Sequence, residues 1–130
     1  MGKTAGQQFG AWGEQLACDY LVLNGYEILD RNVRTPYGEI DIIAREKKLV
    51  DESQTLVFVE VKARRTNTYG YPEDAITESK RKHLIEAAEY YLQENPELAE
   101  AWRIDVISIR KMKKTKEPEI LHFKNAVGEL

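Results

Sequence analysis

The sequence predicts an α/β fold, a mixed β-sheet flanked by helices in the order αβββαββ. Apolar residues recur at helical spacing in two separated stretches, a continuous apolar run rich in valine reads as a buried strand, and Pro and Gly punctuate segments of alternating polarity.

Phe9, Trp12, Leu16, Ala17, Tyr20 and Leu21 form one stripe, so the first helix is predicted over about residues 5–24, and Asn24-Gly25 supplies its stop. Residues 26–33 and 39–45 then read as strands joined by a turn at Thr35-Pro36-Tyr37-Gly38. Residues 47–54 are polar and lead into the strongest strand, 55–63. Its valines at 57, 59 and 61 share a face, as period-two alternation requires, and it is expected at the centre of the sheet. Residues 66–74, with Gly70 and Pro72, read as a loop. Helical spacing resumes over 79–94 through Leu84, Ile85, Ala88, Tyr91 and Leu92, and Pro96 ends it. Strands are predicted over 103–110, around Ile104, Val106, Ile107 and Ile109, and over 119–123 beyond a lysine-rich turn. With 130 residues and no linker or repeat, residues 1–130 are expected to form a single domain.

Composition narrows the class of function. Hydrophobic residues make up 42% and charged residues 32% of the chain. The start, Met1-Gly2-Lys3-Thr4-Ala5-Gly6, lacks the apolar stretch of a secretory signal, and no run approaches the length of a membrane span, so a soluble, cytoplasmic protein with no membrane partner is expected. Cys18 has no internal disulfide partner and lies beside the first apolar stripe, where it reads as structural. His83 and His122 are isolated, which excludes a zinc site of ordinary spacing. The net charge of −3 argues against a strongly basic nucleic-acid binder, yet positive charge is concentrated. One block runs through Lys62, Arg64 and Arg65 and resumes at Lys80, Arg81 and Lys82; the other is Arg110, Lys111, Lys113, Lys114 and Lys116. Either suits phosphates, and the second reads equally well as a solvated hairpin.

The chemistry lies beside the first block. Glu60 and Lys62 are two apart on a strand and project to the same side. Buried charges need partners or a metal, and Asp41 on the neighbouring strand is the third member. Two carboxylates and a lysine suit a hard divalent cation and an attacking water, the machinery of metal-assisted phosphodiester hydrolysis; the alternative is a structural ion-pair network. Glu14 falls about 20° from Leu21 on a helical wheel, at the border of the apolar stripe, and can reach towards the sheet. Lys80 falls inside the second stripe in a first helical turn, where a cation opposes the helix dipole; either it serves the site or its stem snorkels to water. Tyr69 and Tyr71, in the loop, offer an interaction module as a further reading.

These residues resemble a known family. Gly10-Ala11-Trp12-Gly13-Glu14-Gln15-Leu16-Ala17, Asn32-Val33-Arg34-Thr35-Pro36-Tyr37-Gly38-Glu39-Ile40-Asp41-Ile42-Ile43-Ala44, Val57-Phe58-Val59-Glu60-Val61-Lys62-Ala63-Arg64 and Ile76-Thr77-Glu78-Ser79-Lys80-Arg81 are similar to the bacterial YraN family of predicted nucleases, within the PD-(D/E)XK or restriction-endonuclease-like superfamily. The set Glu14, Asp41, Glu60 and Lys62 also looks like the site of archaeal Holliday-junction resolvases. The resemblance implies a restriction-endonuclease-like fold and a nuclease acting on DNA, with branched or structured DNA as candidate substrate. It implies that Asp41, Glu60 and the Val61 carbonyl hold Mg²⁺ or Mn²⁺, that Glu14 completes the acidic cluster, and that Lys62 orients or deprotonates the water. Arg64, Arg65, Lys80 and Arg81 are the expected DNA contacts. The acidic balance departs from the basic resolvases and suits a chain that works as a homodimer or with a protein partner. A second class of function stays open, a nucleic-acid-binding or scaffold protein that keeps the fold without turnover.

Overall fold

The computed structural model describes residues 2–47, 53–65, 76–98, 101–112 and 116–127. Helix α1, Ala5–Leu23, starts at a capping box in which the Thr4 hydroxyl accepts from the Gln7 amide at 3.1 Å and the Gln7 side chain accepts from the Thr4 amide at 2.9 Å. Gly25, at φ +87°, takes the left-handed conformation that turns the chain into β1, Tyr26–Thr35. The antiparallel partner β2, Gly38–Lys47, returns through a tight turn at Pro36-Tyr37, and β3, Gln54–Arg65, pairs antiparallel with β2. Helix α2, Glu78–Glu94, carries the chain across to β4, Ala101–Lys111, which runs parallel to β3, and β5, Glu119–Phe123, closes the far edge antiparallel to β4. A 3₁₀ turn at Pro96–Leu98, absent from the sequence reading, follows α2.

The five strands lie in the order β1-β2-β3-β4-β5. The sheet is mixed and β3 is central, as its valines predict. One helix covers each face. Ala17, Cys18 and Leu21 of α1 pack with Ile42, Ala44, Val57, Val59, Ile107 and Ile109. Leu84, Ala87 and Ala88 of α2 pack with Ile43, Phe58 and Ile104 on the opposite face. Period-two alternation sorts β3 accordingly, its odd-numbered valines towards α1 and Leu56 and Phe58 towards α2.

Three features prepare the site. Alternation slips around Asp41, because Ile40 packs with the α2 cluster while Ile42 packs with the α1 cluster. Across from it on β1, Asn32 sits at φ +51°, a conformation that Asn tolerates better than β-branched residues. The β2–β3 ladder also begins only at Ile42↔Val59, so the strands part beyond it.

A buried polar network pins the opposite region of the sheet. Asp105, fully buried, accepts from Arg103 Nε at 2.9 Å, from the Asn125 amide at 2.8 Å and pairs with His122 Nε2 at 2.8 Å. Arg103 also donates to Glu46 at 2.7 Å, and His122 Nδ1 meets the Tyr20 hydroxyl of α1 at 3.1 Å. Burial alone would raise the Asp105 pKa, but these hydrogen bonds outweigh it and hold the carboxyl below its ordinary value. Cys18 is buried in the α1 core, in keeping with a structural role. No helix among the described residues is long and apolar enough to cross a membrane. The expected loop at 66–74 with Tyr69 and Tyr71, and Lys113 and Lys114 of the second basic block, lie outside the described residues.

Candidate active site

The parting of β2 and β3 determines what Asp41 can do. With no ladder partner from β2, the Val61 amide donates instead to Asp41 Oδ2 at 2.8 Å. The N–H and C=O of one strand residue face the same neighbour, so the Val61 carbonyl lies on the Asp41 side of β3 as well. Glu60 and Lys62, on the α2 face, flank this point. Glu60 is 5% exposed, and Lys62 Nζ lies 3.3 Å from its Oε1. Thr77 caps α2 by accepting from the Lys80 amide at 3.1 Å, which sets Lys80 in the first turn. From there Lys80 Nζ also reaches Glu60 Oε1 at 3.3 Å. The cation that opposes the α2 dipole thus has a buried carboxylate for compensation, although its side chain stays 41% exposed.

Glu14 arrives from α1 because the helix comes very close to β3. A Cβ at Gly13 would stand 2.7 Å from the Ala63 Cβ, so glycine is what permits the approach. Glu14, Asp41, Glu60, Val61 and Lys62 line one open cleft of about 360 Å³, together with Phe9 of α1. With its amide nitrogen turned to the carboxylates, Asn32 donates to Glu14 Oε1 at 2.7 Å and to Glu39 Oε1 at 3.0 Å; the opposite orientation would set its oxygen against acceptors only.

The electrostatics are those of crowded acids. Burial first, then the Glu60 carboxylate, push the Asp41 pKa up to about 7, against the pull of the Val61 amide. Burial raises that of Glu14, with Glu39 and Glu60 acting in the same sense and Arg31 and Lys3 opposing. Such a set favours a proton or a cation. Its donors are hard oxygens, two carboxylates and the Val61 carbonyl, which fit Mg²⁺ or Mn²⁺ with water completing the shell. Among the described residues no three His, Cys, Asp or Glu side chains cluster as metal ligands, so a cation here would rest on that smaller set. Any bound metal would lower the pKa of its water, and Lys62, held over Glu60, is positioned to orient it.

Of the expected DNA contacts, Lys80 meets the site and Arg65 packs over the Phe9 ring at 4.4 Å, beside the cleft. None of the four lines the cleft itself, and Arg64 and Arg81 lie apart from these contacts with Glu60 and Phe9. Arg64 is half-buried opposite Arg110, and the Arg81 Nε is buried without a hydrogen-bond partner among the described residues. Asn32, Gly13 and Phe9 are site residues that the sequence reading missed. An Asn within a strand run is a signal for the first, because it disfavours regular extended structure. Nothing local in the sequence marks the contact at Gly13, which joins residues fifty positions apart.

Comparison with known proteins adds a family. Residues 13–109, which include the four site residues, match the model described as "Uncharacterised protein family UPF0102". A UPF0102 protein of Syntrophotalea carbinolica is 44% identical over 117 residues, covering 90% of this chain and 89% of that protein. One from Caldicellulosiruptor saccharolyticus is 42% identical over 120 residues, covering 92% and 97%. One from Desulfosudis oleivorans is 46% identical over 104 residues and covers 80% of each.

Proposed function

The chain belongs to the UPF0102 family, the YraN family of the sequence resemblance, and from its site we propose a divalent-metal-dependent nuclease that hydrolyses DNA phosphodiester bonds. The single observation behind the reading is the convergence of Asp41, Glu60, the Val61 carbonyl and Lys62 where β2 and β3 separate. The finer fold assignment, restriction-endonuclease-like, is part of the proposal. It is supported by the element order, the parallel β3–β4 pair and the acid-rich gap between β2 and β3.

In this reading Asp41, Glu60 and Val61 would hold Mg²⁺ or Mn²⁺, which would supply positive charge against the negative charge that develops on the phosphate. Lys62, an ammonium paired with Glu60, would orient the attacking water by donating a hydrogen bond to it, and the water's proton would leave to bulk solvent. Glu14 adds negative charge at the rim, and Asn32 fixes the direction in which it points. Lys80, 3.3 Å from Glu60 Oε1, would add positive charge for a phosphate at the edge of the site.

The second reading, a nucleic-acid-binding or scaffold protein without turnover, draws support from one observation. Two ammonium groups already compensate Glu60, as a structural ion-pair network would. Cleavage separates the two. The purified chain is expected to nick or cut members of a panel of single-stranded, duplex, flap and four-way-junction DNAs with Mg²⁺ or Mn²⁺, and EDTA is expected to stop it. Intact substrates across the panel with either metal would transfer the lead to the binding reading.

A further inference from the structure

A second groove opens beside the catalytic cleft, and three cations line it: Lys3, Arg31 and Arg34. Its volume is about 690 Å³. The two spaces meet, since Gly10 and Glu14 line both. At that junction a Cβ built on Gly10 would meet no other element within 4 Å, so the surface beside Gly10 is open.

The two arginines share the groove because of a local departure from strand geometry. Residues three apart on a regular strand point to opposite faces. Asn32, at φ +51°, breaks that alternation between Arg31 and Arg34 and brings both to one side. Arg31 Nη1 donates to the neutral Gln15 Oε1 at 3.1 Å, which orients the guanidinium, and the Glu14 carboxylate in the same groove offsets part of its charge. Arg34 is 91% exposed and its ion contact, with Glu39, is at 4.0 Å. Glu39, the groove's other acid, is itself engaged by Asn32.

We propose that this groove binds the phosphodiester backbone of the nucleic-acid strand that continues past Glu14 from the cleft, with Arg31 and Arg34 as its phosphate contacts and Lys3 as an auxiliary charge. It rests on the nuclease reading for the direction of the strand. It extends the substrate path to the side of α1 opposite Lys80, so the strand crosses the helix at Gly10 rather than running only along the Arg64–Arg65 end of β3. Guanidinium pairs suit phosphate geometry, and binding of this kind reads backbone rather than sequence.

The test measures binding apart from turnover. Affinity of the full-length chain for a fluorescein-labelled 20-nucleotide single strand is followed in EDTA across a salt series, for wild type, Arg31→Gln/Arg34→Gln, Arg34→Lys and Arg45→Gln. Arg45 is a control on β2, paired with Glu27 at 3.5 Å, outside the groove. Two lost phosphate contacts are expected to flatten the slope of log K against log salt by about 1.4 for a single strand, and to weaken binding roughly tenfold or more at low salt. Arg34→Lys should keep the wild-type slope. Circular dichroism checks that each variant is folded. A double variant with the wild-type slope, an equal loss in Arg45→Gln, or a wild type that binds no strand would overturn the groove. Cleavage is read separately with Mg²⁺: an active enzyme with an unchanged slope sinks the groove alone, and a changed slope without cleavage sinks the nuclease reading alone.

Discussion

Replacing Asp41 with asparagine is expected to stabilise the metal-free fold above neutral pH while abolishing its response to Mn²⁺. Burial and the Glu60 carboxylate push the Asp41 pKa from its ordinary 3.8 up to about 7. The folded chain therefore holds this proton more tightly than the unfolded chain, so stability falls as pH rises from about 4 to about 7 and stays at its reduced level above. At about 1.4 kcal/mol per pKa unit the upper bound of the penalty is about 4 kcal/mol, and hydration of the open cleft reduces it to the order of 2 kcal/mol. Asparagine keeps an acceptor for the Val61 amide at 2.8 Å and removes only the charge. Urea unfolding of both proteins in EDTA at pH 5 and pH 8 isolates the effect, because other titrating groups cancel in the difference. The variant should gain on wild type by roughly 1–3 kcal/mol between the two pH values. Mn²⁺ at a hundred times its Kd should stabilise wild type by about 2.7 kcal/mol and leave the variant unchanged. Parallel pH profiles, or equal stabilisation by Mn²⁺, would refute the reasoning.

Other perturbations test the supports of the site. Gly13→Ala sets a methyl 2.7 Å from the Ala63 Cβ, so urea unfolding should show a loss of about 1–3 kcal/mol as α1 lifts from β3, and Mn²⁺-dependent activity should fall with it. Asp105→Ala removes the fully buried acceptor of Arg103, His122 and the Asn125 amide, while Arg103 keeps Glu46, and should cost about 2–4 kcal/mol by the same measurement. Because the Asp105 pKa is held below its ordinary value, its contribution is complete above about pH 4 and lost as pH falls through the depressed value, so Asp105→Asn should show a flatter acid limb. Lys80→Ala removes one of the two ammonium groups on Glu60, and DNA affinity should weaken uniformly across sequences while the urea midpoint changes little; an unchanged affinity and salt slope would leave Lys80 a structural partner of Glu60.

The sequence carries the architecture wherever periodicity is local. Both helices, the β1–β2 hairpin and the central place of β3 follow from apolar spacing and turn residues. Strand ends are longer than the patterns suggest, with β3 running to Arg65, because ladder hydrogen bonds continue where side chains turn polar. Within the site, the same-face pairing of Glu60 and Lys62 is a direct product of the two-residue period, and Asp41 is legible from its neighbouring strand. What is not legible depends on distant pairs. His122 looks isolated in sequence, yet it bonds Asp105 across the β4–β5 pair and Tyr20 across 102 positions. The left-handed conformation at Asn32 likewise brings Arg31 and Arg34 to one side of β1, which regular strand alternation forbids.

The central claim, that Lys62 acts on water at a metal held by Asp41 and Glu60, is tested by single-turnover cleavage of the DNA panel at saturating Mn²⁺ by wild type and Lys62→Ala prepared in parallel, with Mn²⁺ binding by calorimetry as the control within the same preparations. An amine that serves the water and not the metal can be lost without loss of the ion. Wild type should therefore cleave and the variant should not, while both bind Mn²⁺ with similar affinity. Equal cleavage by the two proteins would contradict the account, because the activity would then arise without the lysine that the site places over Glu60.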